Sequence, residues 1–200
     1  MNCDRIARAY RWLEYAAFGR ELERRRFRFI GEVAGAHRAL ILGDGDGRFL
    51  ARFLSQSQAS ADCIDLSARM LQLSSERAGA ERAVYRHGDA LAISLTPLSY
   101  DLIVTHFFLD CFDAAGLDQL AARIRASACP GALWLISEFR QPLWAAPIIR
   151  GLYLFFRVTT GLRVTQLADH RPVLRAHGFT LLREETSWRG LLASELWQRS

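Results

Sequence analysis

The sequence predicts an α/β fold: a seven-stranded, mostly parallel sheet with helices on both faces and an antiparallel hairpin at its C-terminal end. From residue 39 onward, short apolar segments alternate with amphipathic segments for about a hundred residues, which is the pattern of βαβ units. The segment Leu102–His106 is almost continuously apolar, as expected for a strand covered on both faces. The last two strand-like segments are joined directly, whereas a parallel crossover needs a longer connection.

The composition fits one domain spanning residues 1–200. Half of the 200 residues are apolar, which is enough to bury one core. All 26 basic residues are arginine and the net charge is +5, but 21 acidic residues are mixed among them. This mixture does not favour nucleic acid as a partner. The four cysteines include no C-x-x-C pair, so we predict neither a metal site nor a disulfide framework.

The elements follow from local patterns along the chain. Apolar residues recur at helical spacing through residues 1–38, which predicts one or two helices that form an N-terminal cap outside the sheet. The next predicted elements are residues 39–42 (strand), 48–57 (helix), 61–65 (strand), 67–79 (helix), 82–90 (strand), 100–109 (strand), 114–128 (helix) and 132–139 (strand). Ser67 and Gly79 are residue types that begin and end a helix. Residues 172–200 are predicted to be a short closing helix and the hairpin, whose strands begin at Phe179 and end at Leu196.

Two segments bear on the cellular location of the protein. The N-terminal sequence MNCDRIARAYRWLEY carries charges every few residues and lacks the apolar core of a signal peptide. We therefore expect a cytoplasmic protein. The longest apolar segment, residues 142–162, is interrupted by Pro147, Arg150 and Arg157, whereas a spanning helix needs about twenty nearly uncharged residues. We predict no membrane span and leave peripheral contact with a membrane surface open.

The first predicted strand ends in the turn LGDGDGR, with glycines at positions 43, 45 and 47. A phosphate-binding P-loop needs a lysine, and this chain has none. A dinucleotide fold needs the spacing G-x-G-x-x-G, and Arg48 stands where that pattern has its third glycine. The turn therefore favours neither of these two ligands.

The order and spacing of motifs over residues 39–138 resemble class I S-adenosylmethionine-dependent methyltransferases of the small-molecule type. The motifs are the glycine turn, CIDLSARML with Asp65 eighteen residues after Gly47, RHGDA with Asp89, and YDLIVTHFFLDCF with His106. The resemblance implies a Rossmann-like methyltransferase fold, S-adenosylmethionine as the cofactor, a donor-binding core over residues 39–138 and methyl transfer as the activity. Because open α/β sheets bind ligands beyond the carboxyl ends of their strands, we expect the three polar side chains to converge on one crevice.

The resemblance also implies roles around the donor. The predicted donor-binding residues are Gly43, Asp44, Gly45, Gly47, Asp65, Leu66, Asp89, Ala90, His106, Tyr10 and Tyr15. Asp65 would accept both ribose hydroxyls and Leu66 would cover the adenine. Asp89 would accept from the adenine amino group, and Ala90 would donate its backbone N–H to the ring. As ordinary structural residues, Asp65 would be an N-terminal helix charge and Asp89 a turn aspartate.

One position departs from the family pattern. Ile41 stands two residues before the first glycine, where the family has an acidic residue that orders the turn at the methionine end of the donor. Asp44 and Asp46 lie inside the turn, and they could meet the ammonium and sulfonium charges instead or be ordinary turn aspartates. Tyr10 and Tyr15 lie in a segment that resembles the donor-covering helix of the family. They could meet the methionine carboxylate or the sulfonium, or pack in the core.

His106 is the candidate general base, because it ends the fourth strand and histidine titrates near neutrality. Asp110, four residues on, could orient His106 or accept the proton itself, and a purely structural histidine is the alternative. The amide-methylating members of the family carry an N-P-P-Y motif where this chain reads T-H-F-F. Together with the aromatic side chains of Phe107, Phe108 and Phe112, this favours a small apolar or ring-shaped acceptor.

Residues 142–163 are predicted to be a lid over the acceptor, because they combine apolar bulk with two arginines on one helix face. A plain core helix is the alternative. Two other functions stay open. A non-catalytic protein that keeps the fold is suggested by Ile41, and it predicts weak or absent donor binding. An RNA-binding or RNA-modifying protein is suggested by the arginine excess, and it predicts salt-sensitive affinity for nucleic acid. The sequence predicts no oligomeric state.

Overall fold

The computed structural model describes residues 4, 7, 10–147, 149, 151, 157 and 168–200. The helices within these residues are α1 (Tyr10–Phe18), α2 (Glu21–Phe27), α3 (Arg48–Gln56), α4 (Ala68–Ala78), α5 (Ala114–Ser127) and α6 (His170–Ala176). The strands are β1 (Arg38–Leu42), β2 (Ser60–Asp65), β3 (Ala83–His87), β4 (Tyr100–His106), β5 (Ala128–Phe139), β6 (Phe179–Ser187) and β7 (Leu192–Arg199).

The strands form one seven-stranded sheet in the order β3-β2-β1-β4-β5-β7-β6. Strands β1 to β5 pair in parallel, whereas β7 is antiparallel to both β5 and β6. The predicted fold class is therefore confirmed, including the antiparallel hairpin. The sequence did not indicate that β7 inserts between β5 and β6, which leaves β6 at the edge of the sheet.

Strand β5 begins earlier than its sequence pattern indicates. The predicted start was residue 132, after Pro130 and Gly131, but Ala128 already pairs with Tyr100 of β4. Regular pairing then resumes between Leu102 and Leu133, so the intervening residues of β5 form an irregularity. Proline has no backbone N–H to donate to a sheet, and such an irregularity is where a strand tolerates it.

The core lies on both faces of the sheet, because successive side chains of a strand point to opposite faces. Ile41 of β1 packs in a cluster with Phe49 and Phe53 of α3. Its neighbour Leu40 packs in a second cluster with Leu120 of α5. The two clusters account for the continuously apolar central strands, which are covered from both sides.

The helix ends follow the predicted capping residues. The Oγ of Ser67 accepts a hydrogen bond from the backbone N–H of Met70, at 3.1 Å, and so caps the start of α4. Gly79 ends the same helix with φ of +75°. Helix α5 is capped by Asp113, whose Oδ1 accepts from the backbone N–H of Gly116 at 2.8 Å.

Most of the segment predicted to be the acceptor lid, residues 142–163, lies outside the described residues. Within the described part, Trp144 is exposed and Ala145 is buried. No helix in the described part of the chain is long and apolar enough to cross a membrane. Among the same residues, no group of three or more His, Cys, Asp or Glu side chains could hold a metal ion.

Candidate functional site

An open crevice of about 900 Å³ lies at the carboxyl ends of the central parallel strands. The strand order reverses between β1 and β4, and ligands of open α/β sheets bind at such a switch point. The predicted residues that line the crevice are Gly43, Gly45, Asp65, Leu66, Asp89, Ala90 and His106. The expected convergence of Asp65 at the end of β2, Asp89 after β3 and His106 at the end of β4 is therefore observed.

The glycine turn between β1 and α3 has the backbone geometry that makes glycine necessary. Gly43 and Gly47 have φ of +66° and +77°, a region that side chains rarely adopt. A Cβ on Gly47 would lie 2.6 Å from the Cα of Ser74 in α4, and one on Gly43 would lie 2.4 Å from the ring of Phe108. The turn can therefore lie against α4 and against the residues after β4 only because these positions lack side chains.

The two aspartates of the turn differ in their contacts. Asp46 contacts arginine with both oxygens, Oδ1 with Arg48 Nε at 2.8 Å and Oδ2 with Arg77 Nη2 at 2.9 Å. Asp44 Oδ2 accepts from the backbone N–H of Leu50 at 3.0 Å, whereas its Oδ1 is buried without a hydrogen-bond partner among the described residues. Asp46 is thus a structural residue of the turn, whereas Asp44 has one buried oxygen without a partner among the described residues and does not itself line the crevice. Burial raises the pKa of Asp44 to about 7.

Asp65 is the last residue of β2 and faces the crevice. Its Oδ1 accepts from the backbone N–H of Ser67 at 2.8 Å, which also ties it to the start of α4. Burial raises the pKa of Asp65 to about 6, so the carboxylate is ionised at neutral pH. The carbonyl of Asp65 accepts from the backbone N–H of Gly88 at 3.0 Å, which brings the loop after β3 to the same side of the crevice.

Asp89 combines a turn role with a position in the crevice. Its Oδ1 accepts from the backbone N–H of Leu91 at 2.9 Å, the contact of a turn aspartate. The side chain is exposed, and the adjacent Ala90 is buried. Leu66 is 38% exposed and lines the crevice between the two aspartates. An apolar face and two carboxylates thus lie together.

The N-terminal cap reaches the crevice through a residue that sequence reasoning missed. Tyr15 does not line the crevice; its hydroxyl donates to Glu23 at 2.8 Å and accepts from Arg11. Arg26 of α2 lines the crevice instead. The expectation that Tyr15 meets the donor is therefore not supported, because its hydroxyl is engaged elsewhere. Tyr10 begins α1, and its side chain lies outside the described residues.

Arg26 is held in place by a buried ion-pair chain. Its Nη1 donates to Oε2 of Glu14 in α1 at 3.0 Å, and Arg48 of α3 contacts the same carboxylate. The guanidinium of Arg26 also lies 5.1 Å from the centre of the Phe107 ring. An arginine in the run RRRFR gives no sign from sequence alone that it is buried, so this residue could not be predicted.

His106 is buried at the end of β4. Its Nδ1 lies 3.0 Å from Oγ of Ser137 in β5, and its ring contacts Phe49 of α3 with centroids 4.7 Å apart. Its Nε2 is buried without a hydrogen-bond partner among the described residues. Burial, and then the charge of Arg26, hold the pKa of His106 well below its usual range. The imidazole is therefore neutral at physiological pH.

Asp110 does not orient His106, contrary to the expectation from its spacing. The neighbour of the His106 Nδ1 is Ser137, and Asp110 does not line the crevice. Asp110 instead accepts from the thiol of Cys111 at 3.5 Å, and burial raises its pKa to about 6. The four-residue spacing between His106 and Asp110 would bring the two side chains together only in a helix. The chain instead leaves β4 through Phe107, which has a left-handed backbone with φ of +52°.

Glu138 of β5 is a second residue that sequence reasoning missed. Its Oε1 accepts from the backbone N–H groups of Phe108 and Leu109, both at 2.7 Å. Burial, and then the nearby Asp110, raise the pKa of Glu138 well above its usual range. Glu138 therefore holds the turn that presents Phe107 and Phe108 to the crevice. An acidic residue inside the apolar strand ALWLISEF is the signal that could have identified it.

Comparison with known proteins agrees with this geometry. Residues 39–131 match the family model described as a methyltransferase domain. Residues 39–131 are therefore a methyltransferase domain of the class I type. S-adenosylmethionine is the cofactor of this domain, and the resemblance drawn from the sequence motifs is confirmed. No protein of curated function matches the sequence.

Solved structures share the fold of this methyltransferase. The N-methyltransferase NodS from Bradyrhizobium japonicum WM9, in complex with S-adenosyl-L-homocysteine, is 17% identical with a TM-score of 0.71, and the match covers 91% of this chain and 87% of NodS. The 1,6-didemethyltoxoflavin N1-methyltransferase of Burkholderia thailandensis is 18% identical with a TM-score of 0.71, covering 98% and 84%. The [4+2]-cyclase SpnF is 16% identical with a TM-score of 0.66, covering 86% and 80%.

The residues present in the crevice fit the cofactor. S-adenosylmethionine carries an ammonium, a carboxylate and a sulfonium at one end and a nucleoside at the other. At the glycine turn, the unpartnered Asp44 Oδ1 offers an acceptor for a cation, and Arg26 brings a positive charge to the same crevice. Asp65 and Leu66 offer a carboxylate and an apolar face for the nucleoside. Ile41, at the position where the family has an acidic residue, is buried in the core beneath α3.

Proposed function

We propose that the protein transfers the methyl group of S-adenosylmethionine to a small acceptor with an apolar or aromatic ring. The observation that carries this proposal is that His106 lines the crevice together with Phe107, Phe108 and Phe112, while its Nε2 is buried without a hydrogen-bond partner among the described residues. Aromatic side chains supply contact area for a ring at low entropic cost. The acceptor would bind on this side, opposite the nucleoside.

In this proposal, donor binding depends on charge complementarity along the crevice. Asp65 accepts from the ribose hydroxyls and Asp89 from the adenine amino group, with Leu66 and Ala90 against the ring. Asp44 meets the ammonium. When bound, the cofactor supplies the methyl group as a sulfonium, and the protein aligns the acceptor and excludes water.

Arg26 is the cation that we assign to the methionine carboxylate, in place of Tyr15. Its guanidinium is already oriented by Glu14 and by the Phe107 ring. The connected groups Glu14, Arg26, Arg48, Asp46 and Arg77 comprise three arginines and two carboxylates.

The names of two structural relatives favour a nitrogen acceptor. NodS is named an N-methyltransferase, and the Burkholderia enzyme is named an N1-methyltransferase and has 1,6-didemethyltoxoflavin and S-adenosylhomocysteine bound. We assign His106 as the residue that accepts the proton that such a nitrogen loses; burial and Arg26 hold the pKa of His106 below its usual range, so it acts from the neutral form. Residues 142–163 stay our candidate for the acceptor lid, and a cytoplasmic location and peripheral contact with a membrane stay predictions from the sequence.

Two alternatives make different predictions. SpnF is named a cyclase, so this fold also occurs in a protein named for other chemistry, and a non-catalytic role would leave donor binding weak or absent. An RNA-binding role would show as salt-sensitive affinity. Against RNA, several arginines are engaged by carboxylates of the same chain, including Arg38, Arg140 and Arg171.

Calorimetric titration with S-adenosylmethionine, S-adenosylhomocysteine and NADH tests the proposal. Asp65→Asn removes the charge that accepts the ribose hydroxyls, and hydrogen bonds to charged groups contribute about 1.5–3 kcal/mol. We therefore expect this variant to bind both sulfur nucleosides roughly 10- to 100-fold more weakly. Asp118→Asn is the matched control, because the side chain of Asp118 is 68% exposed on α5 and should not affect binding.

Two results would count against the proposal. Absence of sulfur-nucleoside binding by a folded wild-type protein would favour the non-catalytic alternative. Equal binding of NADH would favour a nicotinamide site. If the donor binds, a radiolabelled methyl group from S-adenosylmethionine is then offered to a panel of nitrogen- and oxygen-containing ring compounds, and transfer to a ring acceptor is expected.

A further inference from the structure

A chain of three buried polar groups connects His106 to the N-terminal cap. The Oγ of Ser137 lies 3.0 Å from Nδ1 of His106 and also 3.0 Å from the backbone carbonyl oxygen of Arg25. The Oγ of Ser194 in β7 lies 2.8 Å from the same carbonyl oxygen. Ser137 and Ser194 are both fully buried and face each other across β5 and β7.

The contacts determine where the hydrogens of these hydrogen-bonded groups lie. A carbonyl oxygen only accepts, so each hydroxyl that lies within 3.0 Å of it must direct its own hydrogen toward it. The single hydrogen of the Ser137 hydroxyl is therefore engaged by Arg25, and the Ser137 oxygen can only accept from His106. Nδ1 must then carry the hydrogen of the neutral imidazole.

The other ring nitrogen, Nε2, then carries a lone pair and no hydrogen. In the opposite tautomer, the buried Nε2 would be an N–H donor without a partner among the described residues, and orphaned buried N–H groups are rarer in proteins than unsatisfied acceptors. Both ends of the ring therefore favour the same tautomer. His106 lines the crevice, and an unpartnered lone pair on its ring can accept a hydrogen bond from a ligand donor.

We propose that Ser137 is a positioning residue that fixes His106 as the Nδ1–H tautomer, so that Nε2 takes a proton from an acceptor N–H or O–H group during methyl transfer. This inference rests on the proposed function. It narrows the acceptor to nucleophiles that carry a proton, and it excludes tertiary amines and thioethers as the natural substrate class.

In the proposed step, the acceptor exchanges a proton for the methyl group. A bond forms between the acceptor nitrogen or oxygen and the methyl carbon, while the bond from that carbon to the sulfonium sulfur breaks. The sulfonium charge is neutralised, and the acceptor proton moves to Nε2, so that the positive charge passes to the imidazolium. The imidazolium keeps its Nδ1–H bond to Ser137 and afterwards releases the second proton to solvent.

The surroundings of His106 favour this direction of proton release. The neighbouring charged group is Arg26 of α2, which is paired with Glu14 of α1. The contacts from α3 and β5 are the neutral side chains of Phe49 and Ser137. A cation beside a cationic arginine is disfavoured. The charge of Arg26 therefore makes the ring a weak base, and it favours release of the proton once the imidazolium has formed.

Nitrogen NMR of protein labelled with ¹⁵N-histidine tests the tautomer directly. Long-range nitrogen–proton spectra distinguish a protonated, pyrrole-type ring nitrogen from an unprotonated, pyridine-type one, and His106→Asn identifies the signals. In wild-type protein with and without S-adenosylhomocysteine, we expect a pyrrole-type Nδ1 and a pyridine-type Nε2 at pH 7. An Nε2–H tautomer or a charged ring would overturn the proposal.

Ser137→Ala and Ser194→Ala form a matched pair. Both remove a buried hydroxyl from the carbonyl of Arg25, but only Ser137 contacts His106. We expect Ser137→Ala to move both nitrogen shifts toward values averaged over the two tautomers, and Ser194→Ala to leave them unchanged. Unchanged shifts in Ser137→Ala, or equal changes in both variants, would contradict the positioning role.

If Ser137→Ala does not fold, the wild-type spectrum still tests which nitrogen of His106 carries the hydrogen. Calorimetry with S-adenosylhomocysteine on the same samples separates this proposal from the proposed function. Donor binding together with the wrong tautomer would overturn only the role of Ser137. Absence of donor binding together with the expected tautomer would overturn the proposed function instead.

Discussion

Among single residues, Asp44 carries a charge that our proposal uses to bind the donor but that is unfavourable to bury in the folded protein. Its carboxylate is buried behind the glycine turn, and one oxygen accepts from the backbone of Leu50 while the other has no partner among the described residues. Burial raises the pKa to about 7. Because the pKa is higher in the folded protein than in the unfolded chain, the associated stability is present below about pH 4 and is lost as the pH rises through about 7.

Asp44→Asn should therefore stabilise the free protein and weaken donor binding. At pH 8 we expect the free energy of unfolding of the variant to exceed that of wild type by on the order of 1–3 kcal/mol, because the variant buries no charge. Near pH 4 the difference should disappear. Urea denaturation at pH 4, 5 and 8 measures it, with Asp118→Asn as the exposed control. A variant less stable than wild type at pH 8 would refute this account of Asp44.

At the level of elements, the N-terminal helices are attached to the donor core by buried charge. Glu14 of α1 lies between Arg26 of α2 and Arg48 of α3. Burial alone would raise the pKa of Glu14, but the two arginines outweigh it and hold the pKa below its usual value. Removing one partner of such a group leaves charges buried without compensation, which costs about 3–5 kcal/mol.

Glu14→Gln should therefore loosen the cap far more than a surface change does. We expect a loss of roughly 3 kcal/mol or more in the free energy of unfolding, with faster hydrogen exchange in α1 and α2. Glu32→Gln is the control, because Glu32 pairs with an Arg183 side chain that is 55% exposed, and such pairs contribute about 0–1 kcal/mol. Equal losses in the two variants would mean that the buried chain does not attach the cap.

For the whole molecule, the crevice is formed by residues from α2, β2 and β4 and from the turns that follow β1 and β3, so a ligand that fills it binds the folded state alone. At a concentration one hundred times its dissociation constant, such a ligand stabilises the folded state by about 2.7 kcal/mol. For a domain of this size, each kcal/mol corresponds to about 2–4 °C in Tm. Thermal stability therefore reports on the entire site.

S-adenosylhomocysteine should raise Tm by about 5–10 °C at that concentration. NADH at the same concentration should have no effect, and Asp65→Asn should reduce the shift because it weakens binding. Scanning fluorimetry in low and moderate salt measures all three. Stabilisation by a short RNA that disappears with added salt, without any effect of the nucleoside, would favour the RNA-binding alternative instead.

The elements that carry their own signal were predictable. Alternating apolar and amphipathic segments identified the central strands, and the carboxyl ends of parallel strands necessarily meet at one edge, which is why Asp65, Asp89 and His106 could be placed together. The short hairpin connection fixed the direction of β7, because a parallel return was too long. The cap at Ser67 followed from local hydrogen-bonding chemistry.

Only the tertiary structure decided which charged and polar side chains are buried together. Arg26 meets Glu14, Ser137 meets His106, and Glu138 holds the backbone after β4, through contacts between residues 12 to 31 positions apart. Such contacts have no periodicity in the sequence, because they depend on how elements pack and not on how each one forms. The sequence by itself determined the fold, the cofactor and the placement of Asp65, Asp89 and His106 in one crevice. Packing decided the orientation of the His106 ring and the position of Arg26 at the crevice.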